Sequence, residues 1–459
     1  MASPGTVPAW LPRAAGATPA RGALVTPGET LTYADLLARA DAGARRLAAL
    51  GAGPGDRVAV LLPPGVAFAE TLHACWRLGA VAVPVDVRLG EAERAAQAAG
   101  ALAVDAPLAG PESPVPLRDE HDLSAVAAIV HTSGSSGEPK AVALTFGNWL
   151  WSALGSAVAL GLDPAERWLS ALPLSHVGGL SILVRSAIYG TTAVVHERFE
   201  ADRVTAALGD ATLVSLVPTM LARVLEAGWP ATPGGGSSRR PGGAGALPGG
   251  AASGRRPGGP LRCALIGGGP VPPDLMARAA EAGIPLAQTY GLTEACSQVT
   301  TSEIGDPTTA GPPLFCTRVE IAADGEILVR GPTIAPAAGH RLRTGDLGTL
   351  DAQGRLTVVG RKADTIVTGG ENVAPAEVEA VLEAHPAVAE AAVTGRPDPE
   401  WGEAVVALVV LRDGMNLDAQ ELRAHCRAHL AGFKVPKAIE LASELPRTPS
   451  GKLRRNTLA

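Results

Sequence analysis

The sequence predicts an α/β protein: a large N-terminal domain of mostly parallel sheets with flanking helices, then a small α+β domain. Three observations predict it. The chain has 459 residues, and a single core stops growing near roughly 250–300 residues, so at least two domains are required. Short apolar runs alternate with helical periodicity through about Val217, the pattern of strands laid parallel with helical crossovers. From "GEILVRG" onward the texture changes to short strands with few helices. The division is placed after Leu347, giving residues 1–347 and 348–459.

Taken in order, "LTYADLLARADAGARRLAALG" carries Leu36, Leu37, Ala40, Ala44 and Leu47 at helical spacing, and Gly51 ends it. "DRVAVLLP" follows as a buried strand, and "AFAETLHACWRLGAVAVPV" as a helix and a strand. Residues 231–260 interrupt the alternation. They are mostly Gly, Pro, Ser and Ala with four arginines, too poor in apolar groups to offset ordering entropy. They are expected to form a disordered surface insert between a helix ending near Trp229 and the strand in "LRCALIGGG". In the C-terminal part, "APAEVEAVLEAH" and "AQELRAHCRAHL" read as helices and "AVVALVVL" as a strand.

Composition excludes several classes. The net charge is −6 and aromatic residues make up 3%, which argues against nucleic acid as a partner. Five cysteines without a CxxC pair point to reduced thiols in a cytoplasm. The N-terminus lacks the apolar core of a signal peptide. No apolar run reaches the roughly 20 residues that span a bilayer, so no membrane insertion is expected.

Five stretches carry chemistry. "HTSGSSGEPK" (His131 to Lys140) follows the apolar run "LSAVAAIV". Small residues let backbone N–H groups face an anion, and Lys140 adds a point charge. The spacing is not that of a P-loop NTPase, and alone the stretch fits a polar turn as well as a phosphate loop. "QTYGLTEACSQ" offers the ring of Tyr290, the hydroxyl of Thr293 and the carboxylate of Glu294. "RTGDLG" holds Asp346, "GRKADTIVTGGEN" holds Arg361, and "LPRTPSGKLRR" holds Lys452.

In this order and spacing the five stretches resemble the adenylate-forming superfamily of acyl-CoA synthetases, luciferases and peptide-synthetase adenylation domains. The resemblance runs from about Leu31 to Leu453, apart from the insert. It implies a mobile C-terminal domain and a site between the two domains, with ATP, Mg²⁺ and the co-substrate CoA. By motif, Thr132, Ser133, Gly134, Ser135, Ser136, Gly137 and Lys140 would hold the β- and γ-phosphates. Gly267, Gly268, Gly269, Tyr290, Gly291 and Thr293 would wall adenine and the α-phosphate, and Glu294 would hold the metal. Asp346 would accept the ribose hydroxyls with help from Arg361. Lys452 would bridge the acid carboxylate and the α-phosphate, and Gly369 and Gly370 would line the CoA channel. The chemistry fits: a carboxylate attacking a phosphate needs two anions brought together, and Lys140, Lys452 and Mg²⁺ neutralise them.

"LPLSHVGGLSIL" places His176 at the acyl pocket in the same resemblance, with Gly178 and Gly179 leaving room for a ring. That stretch, "YGLTEACSQVTT" and "AGPPLF" look most like the 2-succinylbenzoate–CoA ligases of menaquinone synthesis. His176, Thr293, Glu294 and Lys452 are the expected catalytic group. Arg185 reads as structural rather than as the donor for the aromatic carboxylate. Ligation of another carboxylic acid is the alternative. A carrier-protein-loading module is less expected, because no carrier segment follows Lys452. A non-catalytic relative is disfavoured by the retention of Lys140, Glu294, Asp346 and Lys452. A homodimer is compatible with the resemblance. Three positions depart from the pattern: Ala141 and His131 beside the phosphate loop, and Ala363 where relatives carry a charged hinge residue. His425 and His429, four apart on a helix, read as a solvated face rather than a metal pair.

Overall fold

The computed structural model describes residues 5–133, 139–229, 261–368, 371–399, 401–447 and 453–458. Two sheets form the large part. In the first, the strands Leu102–Val104, Arg57–Val60, Val81–Pro84 and Val126–Ser133 run parallel, and Pro139–Thr145 returns antiparallel as a hairpin. The second sheet has eight strands. Six are parallel, in the order Leu286–Leu292, Cys263–Ile266, Leu213–Leu216, Arg167–Ser170, Thr192–Val195 and Gly22–Val25. Ser297–Thr301 and Thr30–Thr32 close its edges antiparallel.

Strands such as Val81–Pro84, Leu213–Leu216 and Cys263–Ile266 are buried along their whole length. That is why they read as continuous apolar runs rather than alternating ones. Helices fill the space between the sheets. Tyr33–Ala49 starts at Thr32, whose side chain and that of Asp35 form a capping box. It buries Leu36, Ala40, Ala44 and Leu47, while Leu37 is half-buried. Val66–Leu78 is buried on nearly every side, the mark of a helix packed between two sheets. One apolar cluster joins Val58 and Ala82 of the first sheet to Ala193 and Leu213 of the second through these helices.

A four-stranded antiparallel sheet follows: Arg318–Ile321, Glu326–Arg330, Leu342–Leu350 and Leu356–Arg361. The expected division after Leu347 falls within its third strand, and the sheet runs on to Arg361. Beyond it lies the small α+β unit. Val388–Asp398 and Gly402–Leu411 form a long hairpin, joined by Ile366–Thr368, Glu371–Val373 and Ala438–Leu441. The helices Pro375–Glu383 and Ala419–His429 pack on it around a core of their own. His425 and His429 each commit one ring nitrogen to a backbone carbonyl, that of Val381 and that of His425.

Residues 231–260 lie outside the described residues. The helix before them is Pro218–Glu226, and the strand after them is Cys263–Ile266. No helix among the described residues is long and apolar enough to cross a membrane.

Candidate active site

The site residues gather where strands end and loops begin. In open parallel sheets this carboxyl edge is where ligands bind, because the loops there diverge and leave a crevice. Tyr290 and Gly291 end the strand Leu286–Leu292, and the short turn Thr293–Ala295 carries Thr293 and Glu294. Gly267, Gly268 and Gly269 follow the neighbouring strand Cys263–Ile266. A Cβ on Gly291 would stand 1.9 Å from the Ser297 carbonyl oxygen. The strand pairing shifts register between Tyr290 and Gly291, and a glycine is what lets the two backbones close there. The next residues, Cys296 and Ser297, hold φ of 53° and 92°. Such backbone is costly outside glycine, and it re-aims the chain just past Glu294.

One cluster is tightly made. Asp346 lies opposite Arg361 across the antiparallel strands, with Arg361 Nε 2.8 Å from its carboxylate. The Tyr290 hydroxyl donates to Asp346 at 2.7 Å, and the Asp346 backbone N–H donates to Thr344 Oγ1 at 3.1 Å. Burial, and then the charge of Asp346, push the Tyr290 phenol well up. It therefore remains a protonated donor.

A second group is looser. Lys140 stands opposite Thr132 in the hairpin, and its Nζ is 3.6 Å from Glu294. Gly134, Ser135, Ser136 and Gly137 lie outside the described residues, as do Gly369, Gly370 and Lys452. Ser133 is placed by its backbone, opposite Pro139.

His176 is the cap residue of the helix Val177–Tyr189. Its Nε2 is 3.7 Å from Asp86, a residue the sequence reading did not select. Asp86 follows the strand Val81–Pro84 of the other sheet and accepts from Arg88 at 2.9 and 2.6 Å. Burial opposes its charge, but the hydrogen bonds and charge of Arg88 hold its carboxyl below the usual range. The usable signal was its place just past a buried parallel strand. The glycine reading needs one correction. A Cβ on Gly179 would stand 2.4 Å from the Pro173 carbonyl oxygen, so this glycine seats the helix against the preceding loop and leaves no room for a ring. Gly178 would make only ordinary contact with Leu172, at 3.6 Å. Arg185 is fully buried over the Trp168 ring and donates to Ser152 at 3.2 Å.

Comparison with known proteins decides the family. The AMP-binding enzyme model matches residues 11–104 and 100–337, and the AMP-binding enzyme C-terminal domain model matches residues 377–452. The chain belongs to the AMP-binding enzyme family. Within this family it is 36% identical to the 2-succinylbenzoate–CoA ligase of Bacillus subtilis, over 98% of this chain and 97% of that protein. It is 38% identical to the enzyme of that name from Geobacillus kaustophilus, over 99% and 97%. Among solved structures it resembles the B. subtilis o-succinylbenzoate CoA synthetase in complex with its acyl-adenylate intermediate. There the TM-score is 0.86 at 36% identity, covering 99% of this chain and 98% of that one. The same B. subtilis enzyme, as a double mutant with a product analogue, gives a TM-score of 0.69 at the same identity and coverage. This chain therefore superposes less closely on the second complex than on the first. An ATP-bound MatB from Rhodopseudomonas palustris scores 0.83 at 26% identity, covering 96% and 95%.

Proposed function

We propose that the protein is an ATP-dependent acid–thiol ligase. It adenylates 2-succinylbenzoate and transfers the acyl group to CoA, giving 2-succinylbenzoyl-CoA, AMP and pyrophosphate. The observation that carries this reading is near-full-length similarity to 2-succinylbenzoate–CoA ligases. The meeting of Tyr290, Asp346 and Arg361, and of Lys140 with Glu294, supports it.

Asp346 takes the ribose hydroxyls, held in place by Arg361 and Tyr290. Thr293 bonds the α-phosphate, and Thr132 to Lys140 hold the outer phosphates. Glu294 suits Mg²⁺: its carboxylate is partly exposed beside the phosphate hairpin, and oxygen ligands are what this hard cation takes. Bound there, the ion supplies charge neutralisation at the phosphates. Lys452 bridges the acid carboxylate and the α-phosphate as the P–O bond forms and pyrophosphate leaves. His176 contacts the acyl group, and Asp86 lies at its far nitrogen. The small unit then turns, and the CoA thiolate displaces AMP. The lower TM-score against the complex with the product analogue than against the acyl-adenylate complex supports this turn. The moving unit begins beyond Lys362, since the sheet holding Asp346 ends at Arg361.

The test is acid-dependent pyrophosphate release with and without CoA, using 2-succinylbenzoate, benzoate, a medium-chain fatty acid and 4-coumarate. The highest kcat/KM is expected for 2-succinylbenzoate. A higher value for any other acid overturns the substrate and leaves the ligase.

A further inference from the structure

The turn Lys362–Asp364 connects the large part to the small unit, and ion pairs grip it from both sides. Upstream, Arg361 pairs with Asp346 at 2.8 Å. Lys362 Nζ bonds Asp324 at 2.7 Å and the buried Glu326 at 3.3 Å. Downstream, Asp364 lies 3.2 Å from Arg455 Nε. Ala363, between them, offers no polar side chain. Charged pairs on its two neighbours hold the turn.

Arg455 is the centre of a larger hub. Its two terminal nitrogens make a bidentate pair with Glu379 of the helix Pro375–Glu383, one contact at 2.8 Å. It also donates to the Val393 carbonyl at 2.8 Å, and the Val393 N–H donates to Glu379 at 2.7 Å. Arg455 thus joins a helix, a strand and the connecting turn. A planar guanidinium can do this, and an ammonium cannot reach all three. The tail around it is seated by Leu453 and Leu458, which pack with Ala392 and Leu445. Arg454 N–H donates to the Pro446 carbonyl at 2.8 Å, and Leu453 bridges to Arg447. Leu453 is covalently next to Lys452.

We propose that Arg455 is a positioning residue for adenylation: it fixes the tail that bears Lys452 to the connecting turn, so that closing the small unit also presents that lysine. This rests on the role given to Lys452 above. Formation of the adenylate needs Lys452 placed to within a fraction of an ångström, and a displacement of about 1 Å can cost roughly a hundred-fold. Thioester formation from a ready-made adenylate does not use it.

The experiment measures both half-reactions for Lys452→Ala, Arg455→Lys, Arg455→Ala and Asp364→Asn, with the acid that the panel identifies. For the Arg455 variants, adenylation is expected to fall about ten- to a hundred-fold with KM for ATP nearly unchanged. The CoA half-reaction from preformed adenylate should stay within about threefold of wild type. Asp364→Asn, which loosens only the turn, should give a smaller loss with the same asymmetry. Should Arg455→Ala not fold, Arg455→Lys, which keeps the charge, decides by the same criterion. Equal losses in both half-reactions, or none in either, overturn the proposal. If Lys452→Ala itself fails to separate the half-reactions, it is the role of Lys452 that falls.

Discussion

The two ends of the proposed nucleotide site are built differently. At the ribose end, Asp346 is buried and already bonded to Tyr290 at 2.7 Å and Arg361 at 2.8 Å. At the phosphate end, the Lys140 side chain is 65% exposed and meets Glu294 only at 3.6 Å. A prearranged carboxylate binds ground state and transition state alike. Loosely held charges can instead tighten as charge develops during reaction. Interactions stronger in the transition state raise kcat, while uniform ones lower KM. The difference predicts that the two ends will separate in kinetics.

The largest effect should come from the loose end. Lys140→Ala or Glu294→Gln is expected to cut kcat for pyrophosphate release by on the order of 10²–10³, with KM for ATP moved much less. Steady-state kinetics over ATP concentration checks this. A rise in KM at unchanged kcat would erase the contrast between the ends.

The ribose end should show the reverse. Asp346→Asn removes the charged acceptor that the proposed function gives to the ribose hydroxyls throughout the cycle. A hydrogen bond to a charged group contributes about 1.5–3 kcal/mol, or roughly ten- to a hundred-fold in KM for ATP. Isothermal titration with a non-hydrolysable ATP analogue should report the same factor. Loss confined to kcat would show that Asp346 is not held ready by its partners.

How much of this contrast the sequence displayed depends on distance along the chain. Leu36, Ala40, Ala44 and Leu47 were readable as a buried face because helical period is a local property. The hairpin bearing Lys140 and "YGLTE" offer their proposed site residues as neighbours in sequence. The pairing of Asp346 with Arg361 requires the strand register, and that of His176 with Asp86 requires two sheets to meet. Arg455 finds Glu379 across 76 positions. No local pattern encodes these contacts, since packing of the whole core sets them. Gly179 was misread for the same reason, because an absent side chain looks like space until the Pro173 carbonyl is found there.

Acidity could blur the comparison, and its effect on the fold can be separated in advance. His73 and His121 sit among Trp10, Trp76 and Phe146. Burial pushes His73 down to about 4. Burial, then the charges of His73 and Arg77, push His121 down to about 3. Unfolded, both titrate near 6.5. Above that pH neither state binds the proton and stability is flat. As pH falls below it, the unfolded chain takes up protons that the folded one refuses, so stability drops. By pH 4 the loss from His73 alone is about 3 kcal/mol. Glu383, pushed up to about 7 mainly by burial, works the other way and adds stability as pH falls. The loss from the two rings is therefore read in Glu383→Gln, whose Tm should decline below about pH 6.5. Kinetic contrasts between the site's ends should therefore be measured above pH 7. A Tm of Glu383→Gln that does not fall between pH 6.5 and 5 would contradict the burial of these two rings.

The smallest effect is expected far from both ends, at residues 231–260. Their composition gives them little apolar surface to bury. Their flanks are already tied down: Leu213–Leu216 pairs with Cys263–Ile266 along four positions, and Trp229 and Leu261 both pack on the apolar cluster beneath. Replacing 231–260 with about eight Gly and Ser residues shortens the loop roughly fourfold. Each halving changes closure entropy by about 0.6 kcal/mol, so the fold should gain about 1 kcal/mol. Turnover and KM for ATP should both stay within about twofold, because no strand bearing a site residue is displaced. Urea unfolding and the pyrophosphate assay measure the two quantities. A turnover loss well beyond twofold, with the urea midpoint unchanged or raised, would give the arginines of that segment a part in the reaction. The contrast between the two ends would then have to include a third region.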